Sequence, residues 1–265
     1  MFHGIARFLR LITFLLFATI AAVPAALAAE IPVVAAASDL QYALAEVADA
    51  FTRSTGHSVK LAMGSSGNFV RQIMQGAPFD LYFSADEGYV QDLAERGFTT
   101  DGGALYAIGR LVMFVPNGSP IRVDAELNDL AAALSDGRLR KLAIANPEHA
   151  PYGRVARSVL MKKGLWQRVQ DRLVMGENIS QTAQFAVSGS VEAAFIAYSL
   201  AISERMTKAG SYALIPIDWH EPLRQRMVLL KGAGDTARQF YVFAQSPPAR
   251  LIFEKYGFTL PAAGK

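Results

Sequence analysis

The 265-residue chain contains no cysteine. That one absence removes disulfides, thiolate metal sites and thiol nucleophiles together, so the core must hold without covalent staples. Other familiar machinery is missing as well. There is no phosphate-binding G-x-x-x-x-G-K loop and no G-x-G-x-x-G, and Gly64-Ser65-Ser66-Gly67 is not a G-x-S-x-G nucleophile elbow. The histidines His3, His57, His149 and His220 are scattered without metal-ligand spacing. Charge of either sign is also weak. The formal net charge of +3 falls to +1 once Arg7 and Arg10 are set aside, and no basic cluster suggests nucleic acid. A single long apolar run occurs, from Leu11 to Val23.

That run follows the two arginines and ends in small residues, the pattern of a secretory leader and short for a membrane span. Ala26-Leu27-Ala28 supplies the small-x-small site, so residues 1–28 are expected to be a signal peptide cleaved before Ala29. No cysteine stands there to carry a lipid anchor, and no later segment approaches membrane-spanning length. A free protein in the periplasm is expected, without a transmembrane anchor after cleavage.

Along the mature chain, hydrophobic period 2 alternates with period 3.6. Ile31 to Ala37 reads as a strand, followed by a helical face at Leu40, Leu44, Val47 and Phe51. Val59, Leu61 and Met63 alternate as a strand, and after Gly64-Ser65-Ser66-Gly67 a helical face restarts at Phe69, Val70 and Ile73. Phe79 to Ala85 is a third strand, and Asp86 is placed to cap the helix after it. Further strands are expected at Leu111 to Val115, Leu142 to Ala145, Ala193 to Ala197, Leu214 to Ile217 and Met227 to Leu230. Helices are expected around Val155 to Leu160, from near Ser180 to Ser188, and in two segments up to Tyr256. This alternation predicts an α/β fold of mainly parallel sheet covered by helices. No Pro-, Gly- or Ser-rich connector divides it. Two lobes would therefore be joined by strands that cross between them, with 29–111 and 226–265 in lobe I and 112–225 in lobe II.

Ser38 and Ser66 each stand where a strand gives way to a helix. The first turn of a helix exposes unpaired N–H groups at a positive dipole end, a ready place for an anion, and open α/β sheets bind ligands beyond the carboxyl ends of their strands. A serine at such a junction is often no more than an N-cap. Two in consecutive units, one between glycines, favour more than that.

Longer stretches carry a resemblance across nearly the whole mature chain. Ala35-Ala36-Ala37-Ser38-Asp39-Leu40, Gly64-Ser65-Ser66-Gly67 with Arg71-Gln72-Ile73, the run from Gly76 to Asp86, Pro147-Glu148-His149-Ala150-Pro151-Tyr152-Gly153 and Lys255-Tyr256-Gly257-Phe258 resemble the molybdate-binding periplasmic proteins of ABC transporters. The resemblance implies a two-lobe periplasmic-binding-protein architecture with molybdate or tungstate in the cleft. It implies hydroxyl and backbone N–H donation from Ser38 and Ser66, backbone N–H donation from Tyr152 and Ile179, and phenol donation from Tyr198. It also implies a monomer that hands its ligand to an inner-membrane permease. No cofactor is expected, and no residue is expected to coordinate the metal itself, which stays inside its oxyanion.

Neutral donors holding a dianion avoid the desolvation penalty of a buried ion pair. A site of donors alone also disfavours an anion that still carries a proton, so hydrogen phosphate is expected to lose to molybdate, tungstate or sulfate. Asp39 is expected to turn its carboxylate away while its N–H donates. The same architecture serving sulfate, thiosulfate, ferric ion or an amino acid remains open, as does, more distantly, a secreted hydrolase. His149 reads by itself as a capping or surface residue.

Overall fold

The computed structural model describes residues 31–261, so the leader and its cleavage site lie outside the described residues. Two five-stranded sheets organise them. In chain order the strands are β1 (Val33–Ala37), β2 (Lys60–Gly64), β3 (Leu81–Ser84), β4 (Ala104–Gly109), β5 (Leu111–Pro116), β6 (Leu142–Ala145), β7 (Leu173–Gly176), β8 (Ala193–Ala197), β9 (Gly210–Leu214) and β10 (Leu223–Leu229). The longer helices are α1 (Ala43–Thr55), α2 (Ser66–Met74), α3 (Glu87–Glu95), α4 (Asn128–Asp136), α5 (Pro151–Lys162), α6 (Ile179–Val187), α7 (Asp235–Phe243) and α8 (Pro247–Lys255).

The sheet of lobe I has the order β2-β1-β3-β10-β4, and that of lobe II β7-β6-β8-β5-β9. Each contains three parallel strands, and in each the last two strands run antiparallel to their neighbours. The antiparallel strands are those that lead the chain between lobes. Only Arg110 separates β4 from β5, and the return runs from β9 to β10. The two crossings lie side by side, because Gly109 pairs with Leu223 at one end and the Ile215 N–H bonds the Leu111 carbonyl at the other. Leu214 to Ile217 is thus not a strand of its own. β9 ends at Leu214, Ile215 is buried in the crossing, and Ile217–Trp219 is a 3-10 turn.

Side chains alternate across the lobe I sheet as the pleat requires. Val34, Ala36, Leu81, Phe83 and Met227 face α1, α7 and α8, where Phe51 meets Phe240 edge-on at 5.2 Å. Ala35, Tyr82 and Val228 face α2 and α3. Strands buried on both faces therefore read as continuous apolar runs. Lobe II has its own core around Phe114, Phe195 and Ile144.

Gly109 ends β4 where the backbone passes closest to side chains from both lobes. A Cβ there would collide with the Tyr152 hydroxyl and with Gln225 Nε2. Gly109→Ala is expected to destabilise the protein by about 1–3 kcal/mol, the usual cost of overpacking a filled site. Urea unfolding measures it, and an unchanged midpoint would mean that the crossing is slack.

Candidate functional site

Four strand ends feed one small cavity. β1 runs into the 3-10 turn Ser38–Leu40, and β2 into α2 through Ser65, an extended N-cap residue that makes no side-chain capping bond. From lobe II, β6 leads to α5, which begins at Pro151, a residue suited to the first helical position. β7 leads to α6 through Asn178, whose side chain caps the helix by accepting from the Gln181 N–H at 3.0 Å. Ser66, Tyr152 and Ile179 all fall in the first turns of their helices, where an N–H has no intrahelical acceptor.

Ser38, Ser66, Tyr152 and Ile179 line this cavity together with Asp39 and Ser65. Tyr198 is not brought to it. Its ring packs 5.6 Å from that of Tyr212 and is wedged against Gly257, where a Cβ would strike it. The neighbouring Ser199 reaches the site's edge instead, donating to the Asp39 carbonyl at 2.8 Å.

The two serines singled out from the sequence differ in what their hydroxyls do. Ser66 Oγ accepts from the Ala85 N–H at 3.0 Å, which leaves its own proton uncommitted, while the Tyr82 hydroxyl holds the Ser66 carbonyl at 3.0 Å. Ser38 Oγ donates across the cleft to Asn178 Oδ1 at 3.1 Å and accepts from the Ser180 N–H at 3.2 Å. Its hydroxyl thus joins the lobes, and Ser180 Oγ adds a bond to the Ser38 carbonyl at 2.8 Å.

Further contacts close the rim. His149 is buried between the lobes rather than on the surface, and its carbonyl accepts from the Gly67 N–H at 2.9 Å and from Ser65 Oγ at 2.6 Å. A Cβ on Gly67 would strike the His149 backbone, so glycine alone permits this approach. His149 Nδ1 lies 2.9 Å from Ser65 Oγ and Nε2 lies 3.5 Å from Glu177. The serine has one proton for these two acceptors, so when it goes to the carbonyl the imidazole donates to Oγ, and when it goes to Nδ1 the imidazole accepts. Burial lowers the His149 pKa, with Glu177 opposing. On the other side Arg154 of lobe II pairs with Asp86 and donates to the Tyr89 hydroxyl at 2.6 Å.

Asp39 is the one formally charged residue among those lining the cavity. Its Oδ2 is turned toward the crossing strands, accepting from the Tyr152 hydroxyl at 3.0 Å and from Gln225 Nε2 at 2.5 Å. Gln225 in turn accepts from the Tyr106 hydroxyl at 2.7 Å. Sequence reasoning did not find Gln225, Tyr106, Asn178 or Ser180 as parts of the site. Only Asn178, a residue type that favours helix N-caps just ahead of a helical run, left a local signal.

Comparison with known proteins gives one consistent answer. A family model described as bacterial extracellular solute-binding protein matches residues 32–259. The molybdate-binding protein ModA of Rhodobacter capsulatus is 39% identical over 240 residues, which is 89% of this chain and 90% of that protein. Its counterpart from Azotobacter vinelandii is 36% identical over 239 residues, 89% of this chain and 92% of that one. The solved structure of the Azotobacter vinelandii periplasmic molybdate-binding protein superposes with a TM-score of 0.79 at 31% identity, covering 87% of this chain and 99% of that one.

Asn178→Ala removes both the cap of α6 and the acceptor for Ser38 across the cleft. It is expected to lower stability by about 1–2 kcal/mol, measured by urea unfolding, and a loss below a few tenths would show that neither bond matters.

Proposed function

Because the chain belongs to the family of bacterial extracellular solute-binding proteins, we propose that it captures molybdate or tungstate in the cleft and delivers it to an inner-membrane ABC permease. One observation carries this reading. The starts of several helices from both lobes converge on a cavity whose wall contains no lysine or arginine. N–H groups fixed at helix ends replace the hydration shell of a dianion with little reorganisation, and they avoid the desolvation cost of buried cations. Ser66 donates through its hydroxyl and N–H, and Ser38, Tyr152 and Ile179 through backbone N–H groups. Tyr198 has no place in this set.

Closure supplies the transport signal. A ligand favours the closed form only by binding it better than the open one, and donors contributed by both lobes meet that condition. The bonds from Ser38 to Asn178 and from Arg154 to Asp86 and Tyr89 hold the lobes together around the ligand. The leader expected at residues 1–28 supports capture in the periplasm.

A ferric site would need several clustered oxygen anions, whereas one carboxylate lines this cavity. The hydrolase reading has its nearest candidate in Ser65, His149 and Glu177. There the His149 carbonyl at 2.6 Å competes with Nδ1 at 2.9 Å for the serine's proton, and Glu177 is largely exposed, so no base is committed to the serine. Sulfate in the same cleft is the reading that needs direct exclusion.

Calorimetric titration is expected to show one molybdate or tungstate per chain, with sulfate weaker by roughly a hundredfold, or about 2.7 kcal/mol. Equal affinity for sulfate would defeat the assignment to molybdate and leave the fold untouched. Ser66→Ala is expected to weaken molybdate binding by about 1–3 kcal/mol, as for a lost bond to a charged group. Ser38→Ala is expected to act less, since its hydroxyl already bonds Asn178. Unchanged affinity in both variants would place the ligand elsewhere.

A further inference from the structure

Anion capture calls for donors, yet a carboxylate sits in the wall. Asp39 is 1% exposed. Its Oδ2 accepts the two bonds from Tyr152 and Gln225, while Oδ1 is buried with no hydrogen-bond partner among the described residues. The N–H groups of Asp39 and Leu40 lie near enough to favour the charge but make no aligned bond to Oδ1. The hydrogen-bonding groups around Asp39 come from four elements. They are Tyr152 of α5, Gln225 of β10, Tyr106 of β4 behind Gln225, and Ser199 of the helix after β8. All four are neutral, since burial pushes both phenols well above their usual range. Among the described residues no cation bonds the carboxylate, since Oδ2 is held by Tyr152 and Gln225 and Oδ1 has no partner. Burial pushes Asp39 up to about 6, against the smaller downward pull of the bonds from Gln225 and Tyr152.

A dianion enclosed beside this carboxylate would bring like charges together in a medium of low dielectric, and neither has a cationic partner there. A proton taken up from solvent by the Asp39 carboxylate removes that repulsion and relieves the unpartnered oxygen. We propose that capture of an oxyanion dianion in this cleft is coupled to the uptake of one proton by Asp39, which makes Asp39 the residue that sets how affinity depends on pH. The proposal rests on the oxyanion reading above. The protein with ionised Asp39, the dianion and one proton combine to give a complex that holds the anion beside a neutral carboxylic acid.

The direction follows from linkage. The bound dianion raises the Asp39 pKa further above about 6, so the complex holds a proton that the free protein has lost over the interval between the two values. Within that interval affinity falls as pH rises, by up to tenfold per pH unit, and below about 6 it levels off because both states are protonated.

The test titrates molybdate and tungstate, both fully deprotonated over this range, into the mature protein at pH 6, 7 and 8. Two buffers of different ionisation enthalpy at each pH report the protons exchanged. The wild type is expected to take up a proton fraction approaching one per anion at pH 7–8 and to lose affinity severalfold per pH unit. Asp39→Asn is expected to take up none, to bind independently of pH, and to exceed the wild type at pH 8 by about tenfold or more, the loss that linkage assigns to an ionised Asp39. Tyr152→Phe keeps the carboxylate but deletes a bond that favours its charge, so it is expected to shift the pH-dependent interval upward. That shift is a readout a merely structural role would not move, and it serves if Asp39→Asn does not fold. Equal wild-type affinity at pH 6 and 8 with no buffer-dependent heat overturns the proposal and spares the oxyanion reading. Failure of molybdate, tungstate and sulfate to bind at any of these pH values overturns both.

Discussion

A helix that begins in a closed interior leaves N–H groups that water can no longer satisfy, and the starts of several helices meet in this cleft. Those donors need an acceptor, and the cavity supplies few of them from the protein itself. The rest of the molecule can be understood as the means of bringing these helix starts together. Parallel strands deliver each one at a carboxyl edge of its sheet, and the two crossing segments between sheets set one group of starts against the other.

The crossing is where tolerance is least. Gly109, Leu223 and Ile215 place both connections side by side, and Tyr152 and Gln225 fill the space against Gly109 so closely that no Cβ fits. The same two side chains hold Asp39. The polar network at the crossing and the wall of the cavity are therefore one structure. Around the rim, Ser38 with Asn178, Ser65 with His149, and Arg154 with Asp86 make the closed arrangement a set of specific bonds rather than general apposition.

Elements with strong local signals were legible from their residues. β6 at Leu142–Ala145 and β8 at Ala193–Ala197 are short apolar runs buried on both faces, and Asp86 caps α3 as its side chain suggests, accepting from the Gly88 N–H at 2.8 Å. β4 left little trace, since Ala104–Gly109 has no clean period and pairs only with a strand more than a hundred residues later. The crossing after β9 was mistaken for a strand because an apolar run signals burial without saying whether a neighbour pairs with it. His149 was underestimated for a related reason. A lone histidine beside prolines carries no mark of the serine that will meet it from the other lobe.

By itself the sequence determined the alternation of strands and helices and the serines at two strand–helix junctions, together with the absence of the parts that cysteine or metal chemistry would require. These are local properties, set by period, capping and composition over a few residues. The tertiary structure alone decided that Tyr198 turns to Tyr212 and Gly257, that Ser38 uses its hydroxyl on Asn178, and that Asp39 is buried among neutral groups from four distant segments. Each of those outcomes depends on atoms far apart in the chain, whose meeting follows from how two sheets are joined and not from any pattern within reach of a single element.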